Sequence, residues 1–389
     1  MKLGIISDAS HTWDAHGRLC VLSPVARQFE QWAQLFEEVT VCAPLVRGLP
    51  SPTSSPYRAT NIRLLPVRGG GGDTVGAKLA LALKIPSWWS AIRELLSRVD
   101  AVHIRCPNNI SILGLLALER SDVLRQAVFT GTWNGYATEP RTYRWQREYL
   151  RSRFRGPVAV YGDWPDQPAN ICPSFSPSYR DEDWIAETSA VARKLERLKA
   201  PLSGPIRLIT VGSLDPNKNQ QVAVRAVSKL RALNVDAQLD ILGDGPERAR
   251  LTDLVTELHL RDHVTLHGAT PPAEMRHHYR AADFVIQPVR SEGFGKVPLE
   301  GFFHGVIPIM SDVTLHPQFA GTASDTRGRC FPTEDPVAAA THVAELVARP
   351  DEMRRMITNG RKYVRRFTLD AWREHLREML TSQWGVSLP

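Results

Sequence analysis

The sequence predicts an α/β protein built as two parallel-sheet domains, and three observations carry that reading. Its 389 residues exceed what a single core of ordinary size holds. Its second half alternates short apolar runs with stretches of helical period, the pattern of strands joined by crossover helices. Those runs lead into glycine turns at Gly212, Gly243, Gly268 and Gly293, and ligands of such sheets sit at the carboxyl ends of the strands.

In the first half, strands are expected at residues 3–6, 39–42, 62–66, 101–104 and 127–130. Between them, residues 68–73 carry four consecutive glycines. Such a run holds no single conformation cheaply, so the loop is either mobile, the preferred reading, or ordered by a ligand. The Pro- and Gly-containing segment 201–205 reads as a linker, which sets domains at 1–200 and 201–365. A buried-type strand at 206–211 then leads to a helix at 219–233 with Val222, Ala226, Leu230 and Leu233 on one side. The alternation continues with a strand at 238–242, the turn 243–246, and a helix carrying Leu251, Leu254, Val255 and Leu258. It repeats through strand 264–266, helix 272–282, strand 284–287, an apolar stretch at 297–303 and strand 306–310. After Pro350 come helical patterns at 352–366 and 369–382, the latter with Trp372, Leu376, Met379 and Leu380 apolar.

Composition excludes several classes. Hydrophobic content of 43% and charged content of 23% are those of a soluble enzyme, and no run approaches the roughly 18 apolar residues of a membrane span. The opening residues lack the apolar core and cleavage pattern of a signal peptide, so a cytoplasmic location is expected. Five scattered cysteines, never in a C-x-x-C pair, argue against disulfides and zinc. The net charge of +7, with 39 arginines among 48 basic residues, favours acidic ligands or surfaces. Nucleic acid is not expected, because zinc-finger spacing, an RNA-recognition signature and a basic N-terminal arm are all missing.

The most informative segment is SEGFGKVPLEG, residues 291–301, which sets Glu292 and Glu300 eight positions apart around a glycine-rich turn. The strand before it and the helix after it would aim the turn's N–H groups outward, where a diphosphate can dock. Ionised carboxylates only accept hydrogen bonds, so two of them flanking an anion-binding turn suit a ligand with phosphate in its middle and hydroxyls at both ends. A sugar nucleotide is such a ligand. The bland alternative is a helix N-terminus with an acidic flank, favourable by its dipole alone.

Four collinear segments extend the case: VGSLDPNKN (211–219), LGDGPERARL (242–251), the series from Val264 to Pro288 ending AADFVIQP, and SEGFGKVPLEG with a downstream GVIPIMSD. Over residues 206–312 the chain thereby resembles the donor domain of retaining glycosyltransferases of family 4, and the first 200 residues match only in general organisation. The resemblance implies a GT-B fold, two Rossmann-like domains facing a cleft, with the donor in the second domain, the acceptor in the first, and the last helix (366–389) packed back on the first. It implies that Glu300 accepts from ribose hydroxyls and that Glu292 holds the transferred sugar. Gly293, Phe294, Gly295, Lys296 and Val297 would line the donor with their backbone, Lys218 would neutralise the diphosphate, and Gly212 with Ser213 would let the chain approach it. Glu292 and Lys218 are then the catalytic pair. A lysine there lowers the barrier because negative charge grows on the leaving phosphate.

Two departures stand out. Many relatives carry arginine where this chain has Ser213, so one charge is missing; Arg290 either supplies it or merely faces solvent. Relatives also tend to carry a first-domain histidine near the acceptor, whereas residues 127–136 read AVFTGTWNGY. Trp133 and Asn134 there, and His11, His16 and Gly17 in the first loop, are the acceptor-side candidates.

The expected function is transfer of a sugar from a UDP-, GDP- or dTDP-type donor to a sugar, lipid-linked or small-molecule acceptor, with retention and with neither metal nor cofactor. The alternatives are a sugar-nucleotide-binding protein without transfer activity, or a phosphorylase or epimerase of the same fold. The acidic run Asp181–Asp183 opens a helical pattern, where acids are ordinary, and His277 with His278 reads as an exposed helix face. Residues 141–155 interleave six arginines with Tyr143, Trp145, Tyr149 and Phe154. They form either a solvated helix over the first sheet, the favoured reading, or a weak contact with anionic lipid at the inner face of a membrane.

Overall fold

The computed structural model describes residues 1–69, 81–136, 139–200, 202 and 204–389. Most of the glycine loop and, in the expected linker, Pro201 and Ser203 lie outside them. The chain forms two compact units, residues 1–177 with 369–389, and residues 178–368. The divides therefore fall at 177/178 and 368/369, in place of the expected 200/201 and 365/366. The cause is the helix Asp181–Arg197, which belongs to the second unit.

In the first unit the strands are β1 (Lys2–Ile6), β2 (Thr12–Trp13), β3 (Leu19–Leu22), β4 (Glu38–Pro44), β5 (Ser54–Pro56), β6 (Ile62–Val67), β7 (Ala101–Cys106), β8 (Leu124–Phe129), β9 (Val158–Tyr161) and β10 (Ile171–Ser174). Seven of them form a parallel sheet in the order β10-β9-β8-β7-β1-β4-β6, and β2, β3 and β5 make a small antiparallel sheet that the sequence reading missed. Strands β1, β4 and β7 are buried on both faces, which is why they read as continuous apolar runs. The closing helix Leu369–Trp384 lays Trp372, Leu376, Met379 and Leu380 into the same core as Phe29 and Trp32, with the Trp372 ring edge-on to Trp32 at 6.2 Å. Each buried leucine there contributes about 1.5–3 kcal/mol by leaving water.

The helix Arg141–Ser152 is anchored by Gln146, whose Oε1 accepts from the Ser111 hydroxyl at 2.6 Å, by an Arg147–Glu139 ion pair, and by Tyr149, which donates to Glu119 at 2.9 Å. Arg141, Arg144, Trp145, Arg151, Arg153 and Arg155 remain exposed. Among the described residues no helix is long and apolar enough to cross a membrane.

The second unit holds a six-stranded parallel sheet in the order β13-β12-β11-β14-β15-β16, from β11 (Ile206–Val211), β12 (Ala237–Leu242), β13 (Val264–Gly268), β14 (Phe284–Gln287), β15 (Ile307–Ser311) and β16 (Arg329–Phe331). Strand order reverses between β11 and β14, which lie side by side. A crevice opens at the carboxyl ends of two strands that diverge in this way, so the topology alone selects the loops after β11 and β14.

Behind those loops, the helix Asp181–Arg197 clamps the unit together. It begins with Asp183 accepting from the Arg180 amide at 3.0 Å. Its fully buried Glu187 takes a bidentate pair from Arg280 at 2.6 and 2.9 Å and a hydrogen bond from His304 at 3.1 Å. Lys194, also buried, donates from Nζ to the carbonyls of Tyr279, Ala282 and His304 at 2.9, 2.7 and 3.1 Å. Three donors meet three acceptors, so the buried ammonium is satisfied. Both contacts grip the helices Pro272–Ala281 and Lys296–Phe303, whose side chains reach the site described next.

Candidate functional site

The loop after β11 and the loop after β14 are stapled by one side chain. Asn217 donates from Nδ2 to Ser291 O at 2.9 Å, and its Oδ1 accepts from Ser291 N at 3.0 Å and from the Ser291 hydroxyl at 2.9 Å. Asp215 shapes the first loop by accepting from the amides of Asn217 and Lys218 at 2.9 and 3.1 Å. The staple brings Lys218 to Glu292, Nζ to Oε2 at 2.7 Å, with both side chains about four-fifths covered, at 22% and 20% exposed. The two residues expected to act together thus touch.

The helix Lys296–Phe303 follows at once. Its N-cap, Gly295, sits at φ +85°, and no side chain caps the first turn. A Cβ there would lie 3.0 Å from His316 Nε2, so both backbone and space call for glycine. Phe294 is buried edge-on against Phe319 at 5.6 Å, and Val297 packs on the apolar cluster around Tyr279. Phe294 is therefore open to a ligand through its backbone only, while Val297 is partly buried. Glu300 lies one turn inside the helix, half-buried, with Oε2 accepting from Tyr279 OH at 2.9 Å and Oε1 from Ser178 Oγ at 2.6 Å. Each oxygen retains a second lone pair, so the two hydroxyls orient the carboxylate without exhausting it.

Of the remaining donor-side residues, Ser213 hydrogen-bonds Asp215. Arg290 pairs with Glu334 at 2.5 Å and donates to Pro216 O. It is neither loose in solvent nor free to replace the missing charge without leaving both partners.

The glycines at the strand ends divide by cause. At Gly212, φ is +145°, and an added Cβ would meet Lys218 only at ordinary contact distance. At Gly243, φ is +149° and a Cβ would lie 1.8 Å from Gly212 O. Gly243 is what lets the turn after β12 press on the turn after β11. Gly243→Ala is therefore expected to destabilise the second unit by about 2–4 kcal/mol, from strain and overpacking together. Denaturant unfolding of the variant beside the parent checks this, and equal midpoints would show that the turns have slack.

Sequence reasoning missed Asn217, Tyr279, Ser178 and His316. Asn217 lay within a flagged segment with nothing to single it out. Tyr279 and Ser178 reach Glu300 only through tertiary packing. His316 is fully buried, with Nδ1–H donating to Ser311 O at 2.8 Å and Nε2 without a partner among the described residues. Burial holds its pKa below 6.5, so it is neutral at pH 7.

In the first unit the acceptor-side candidates separate. His11 is buried, one ring nitrogen 2.8 Å from Ala9 O and the other 2.7 Å from Tyr57 OH, and burial pulls its pKa to about 4. Trp133 is also core, donating to Gln167 at 3.1 Å beside Phe129. Both rings are buried and hydrogen-bonded within the first unit. His16, Gly17 and Asn134 are exposed, the first two in the hairpin turn that Asp14 shapes.

Residues 193–363 match the family described as glycosyl transferases group 1. The chain is 27% identical over 237 residues to the GDP-mannose-dependent alpha-(1-6)-phosphatidylinositol monomannoside mannosyltransferase of Mycolicibacterium smegmatis, covering 59% of this chain and 58% of that one. It is 33% identical over 153 residues to the D-inositol 3-phosphate glycosyltransferase of Acidothermus cellulolyticus, covering 37% and 32%. The chain spans about half the length of the curated relatives it matches. Among solved structures, sucrose-phosphate synthase from Thermosynechococcus elongatus superimposes with a TM-score of 0.72 at 17% identity, covering 98% of each chain. Anabaena HepE in complex with UDP and glucose does so with 0.71 at 13%, covering 98% of this chain and 100% of that one. Residues 193–363 are thus similar to the glycosyl transferases group 1 family, and the chain has the GT-B fold.

Proposed function

We propose that the protein transfers a sugar from a nucleotide-sugar donor to an acceptor, with retention of anomeric configuration and without a metal ion. The observation that carries this reading is the Lys218–Glu292 ion pair at 2.7 Å, set at the mouth of a helix without a side-chain cap and at the point where strand order reverses. A diphosphate on the first amides of that helix takes over the ammonium. Glu292, released, accepts from hydroxyls of the sugar, and Glu300 accepts from the ribose. Lys218 supplies the positive charge that stabilises the leaving phosphate, the part a metal would otherwise play. A leaving phosphate oxygen then takes the acceptor's proton on the face it departs from, which gives retention without a carboxylate nucleophile.

The named relatives favour GDP-mannose as donor and an inositol-bearing acceptor, free or lipid-linked, while the superimposed complex favours UDP. Donor binding belongs to the second unit and acceptor binding to the first. The exposed arginines of residues 141–155, with Trp145, suit an acidic acceptor or the anionic inner face of a cytoplasmic membrane, each charge contributing up to about 1 kcal/mol there.

Thermal unfolding with UDP-, GDP-, dTDP- and ADP-sugars tests the donor. One of them is expected to stabilise the protein by about 2.7 kcal/mol at a hundredfold excess over its dissociation constant, and Glu300→Ala to shrink that shift. Nucleoside diphosphate release should rise on adding acceptor. Binding without such a rise would favour a sugar-nucleotide-binding protein, and turnover that needs free phosphate would favour a phosphorylase.

A further inference from the structure

We propose that Asp240, His267 and His278 form a site for a divalent transition-metal ion, zinc by preference, which ties the helix Pro272–Ala281 to β12 and β13. No motif announces it, because the three residues come from three elements and meet only in the fold. One ligand atom from each lies within 4.8 Å of the others. His267 Nε2 is 2.7 Å from Asp240 Oδ1, and His278 Nδ1 is 3.7 Å from Asp240 Oδ2.

A tetrahedral ion with bonds of about 2.0–2.1 Å to nitrogen and oxygen holds its ligand atoms about 3.3 Å apart. The two distances, one to each carboxylate oxygen, bracket that value, and all three ligand atoms lie within 4.8 Å of one another, within reach of a single ion. Two imidazoles and one carboxylate are a borderline donor set, suited to zinc, nickel or cobalt rather than to calcium or magnesium. The expected exposed face for His278 is corrected here. Its side chain is only 17% exposed and its ring meets His267 edge-on at 4.6 Å. Asp240 and His267 are 31% and 30% exposed, leaving the remaining coordination positions to water.

The ion has no part in the proposed transfer chemistry. Its effect is on packing. His278 precedes Tyr279, which donates to Glu300, so the ion would fasten the helix that orients that carboxylate.

The test uses the full chain, stripped with EDTA and dialysed, then titrated with zinc chloride by calorimetry and with cobalt chloride by visible absorption. One equivalent of zinc is expected to bind and to raise the melting temperature, with cobalt giving the absorption of a nitrogen- and oxygen-ligated ion. His278→Ala and Asp240→Asn should each weaken binding at least about tenfold. His267→Gln is a third variant that keeps a polar side chain. His277→Ala, at the exposed neighbouring position, should leave binding unchanged. Uptake of no metal by the parent, or uptake that these three replacements leave intact, would overturn the proposal.

Discussion

Lys218→Ala is expected to lower kcat about 10²–10³-fold while leaving the protein folded, the loss typical of removing one preorganised group from a developing charge. The split between rate and stability follows from the pair's surroundings. The Lys218 and Glu292 side chains are 22% and 20% exposed, so breaking the pair costs more than a surface pair's contribution of about 0–1 kcal/mol but leaves Glu292 within reach of water. The melting temperature should therefore fall modestly, and far less than the rate. The geometry has a second consequence. Because each residue is the other's partner at 2.7 Å, the losses of Lys218→Ala and Glu292→Gln should not add, and the double variant should fall short of their product. Lys218→Arg restores the charge and should recover part of the rate. Steady-state kinetics on the four variants decide the matter, and a Lys218→Ala enzyme within twofold of the parent would refute the assignment.

How much of this was legible in the sequence depended on where the physical signal resided. Strands β11 and β14 were read with their observed limits, because a strand largely covered on both faces writes itself as a mostly apolar run, IRLITV and FVIQ. The three-residue β16 and the strand β10, which contains Pro173, carry no such run. The helix Pro336–Val347 did announce itself, with Asp335 accepting from the amides of Val337 and Ala338 and proline at the first position, a start signal that went unread. At the site, the spacing of Glu292 and Glu300 was visible, since both lie on one short segment. The hydroxyls that orient Glu300 were not, since Ser178 stands 122 positions away and only packing brings it near. The domain limit failed for a related reason. In sequence, Glu187 and Lys194 look like the wet face of a helix, yet both are buried, and their partners are residues 85 or more positions further on.

That buried Glu187 should be the most costly single charge to remove from the second unit. Its own burial would raise its pKa, but hydrogen bonds from His304 and Arg280 outweigh that and hold it at about 2, against an ordinary 4.5. His304, kept below 6.5 by burial, is neutral at pH 7 and contributes a hydrogen bond, so the compensating charge is that of Arg280 with Arg276 at 3.4 Å. A depressed folded-state pKa contributes stability that is complete above the unfolded value and is lost as pH falls from 4.5 toward 2. The size of the depression corresponds to about 3 kcal/mol. Glu187→Gln keeps the shape and loses the charge, so it should be less stable than the parent by about that amount at pH 7. The gap should close as pH drops below 4.5, because the parent's own carboxyl is then being neutralised. Burial lowers the pKa of His304 and the Glu187 carboxylate raises it, so protonating His304 is costlier in the variant, and the gap should first widen somewhat below pH 6.5 before it closes below 4.5. Denaturant unfolding of the two proteins across pH 3–7 reads the difference directly. A gap that stays constant over that range would mean that Glu187 acts through its shape and hydrogen bonds, with its charge contributing nothing.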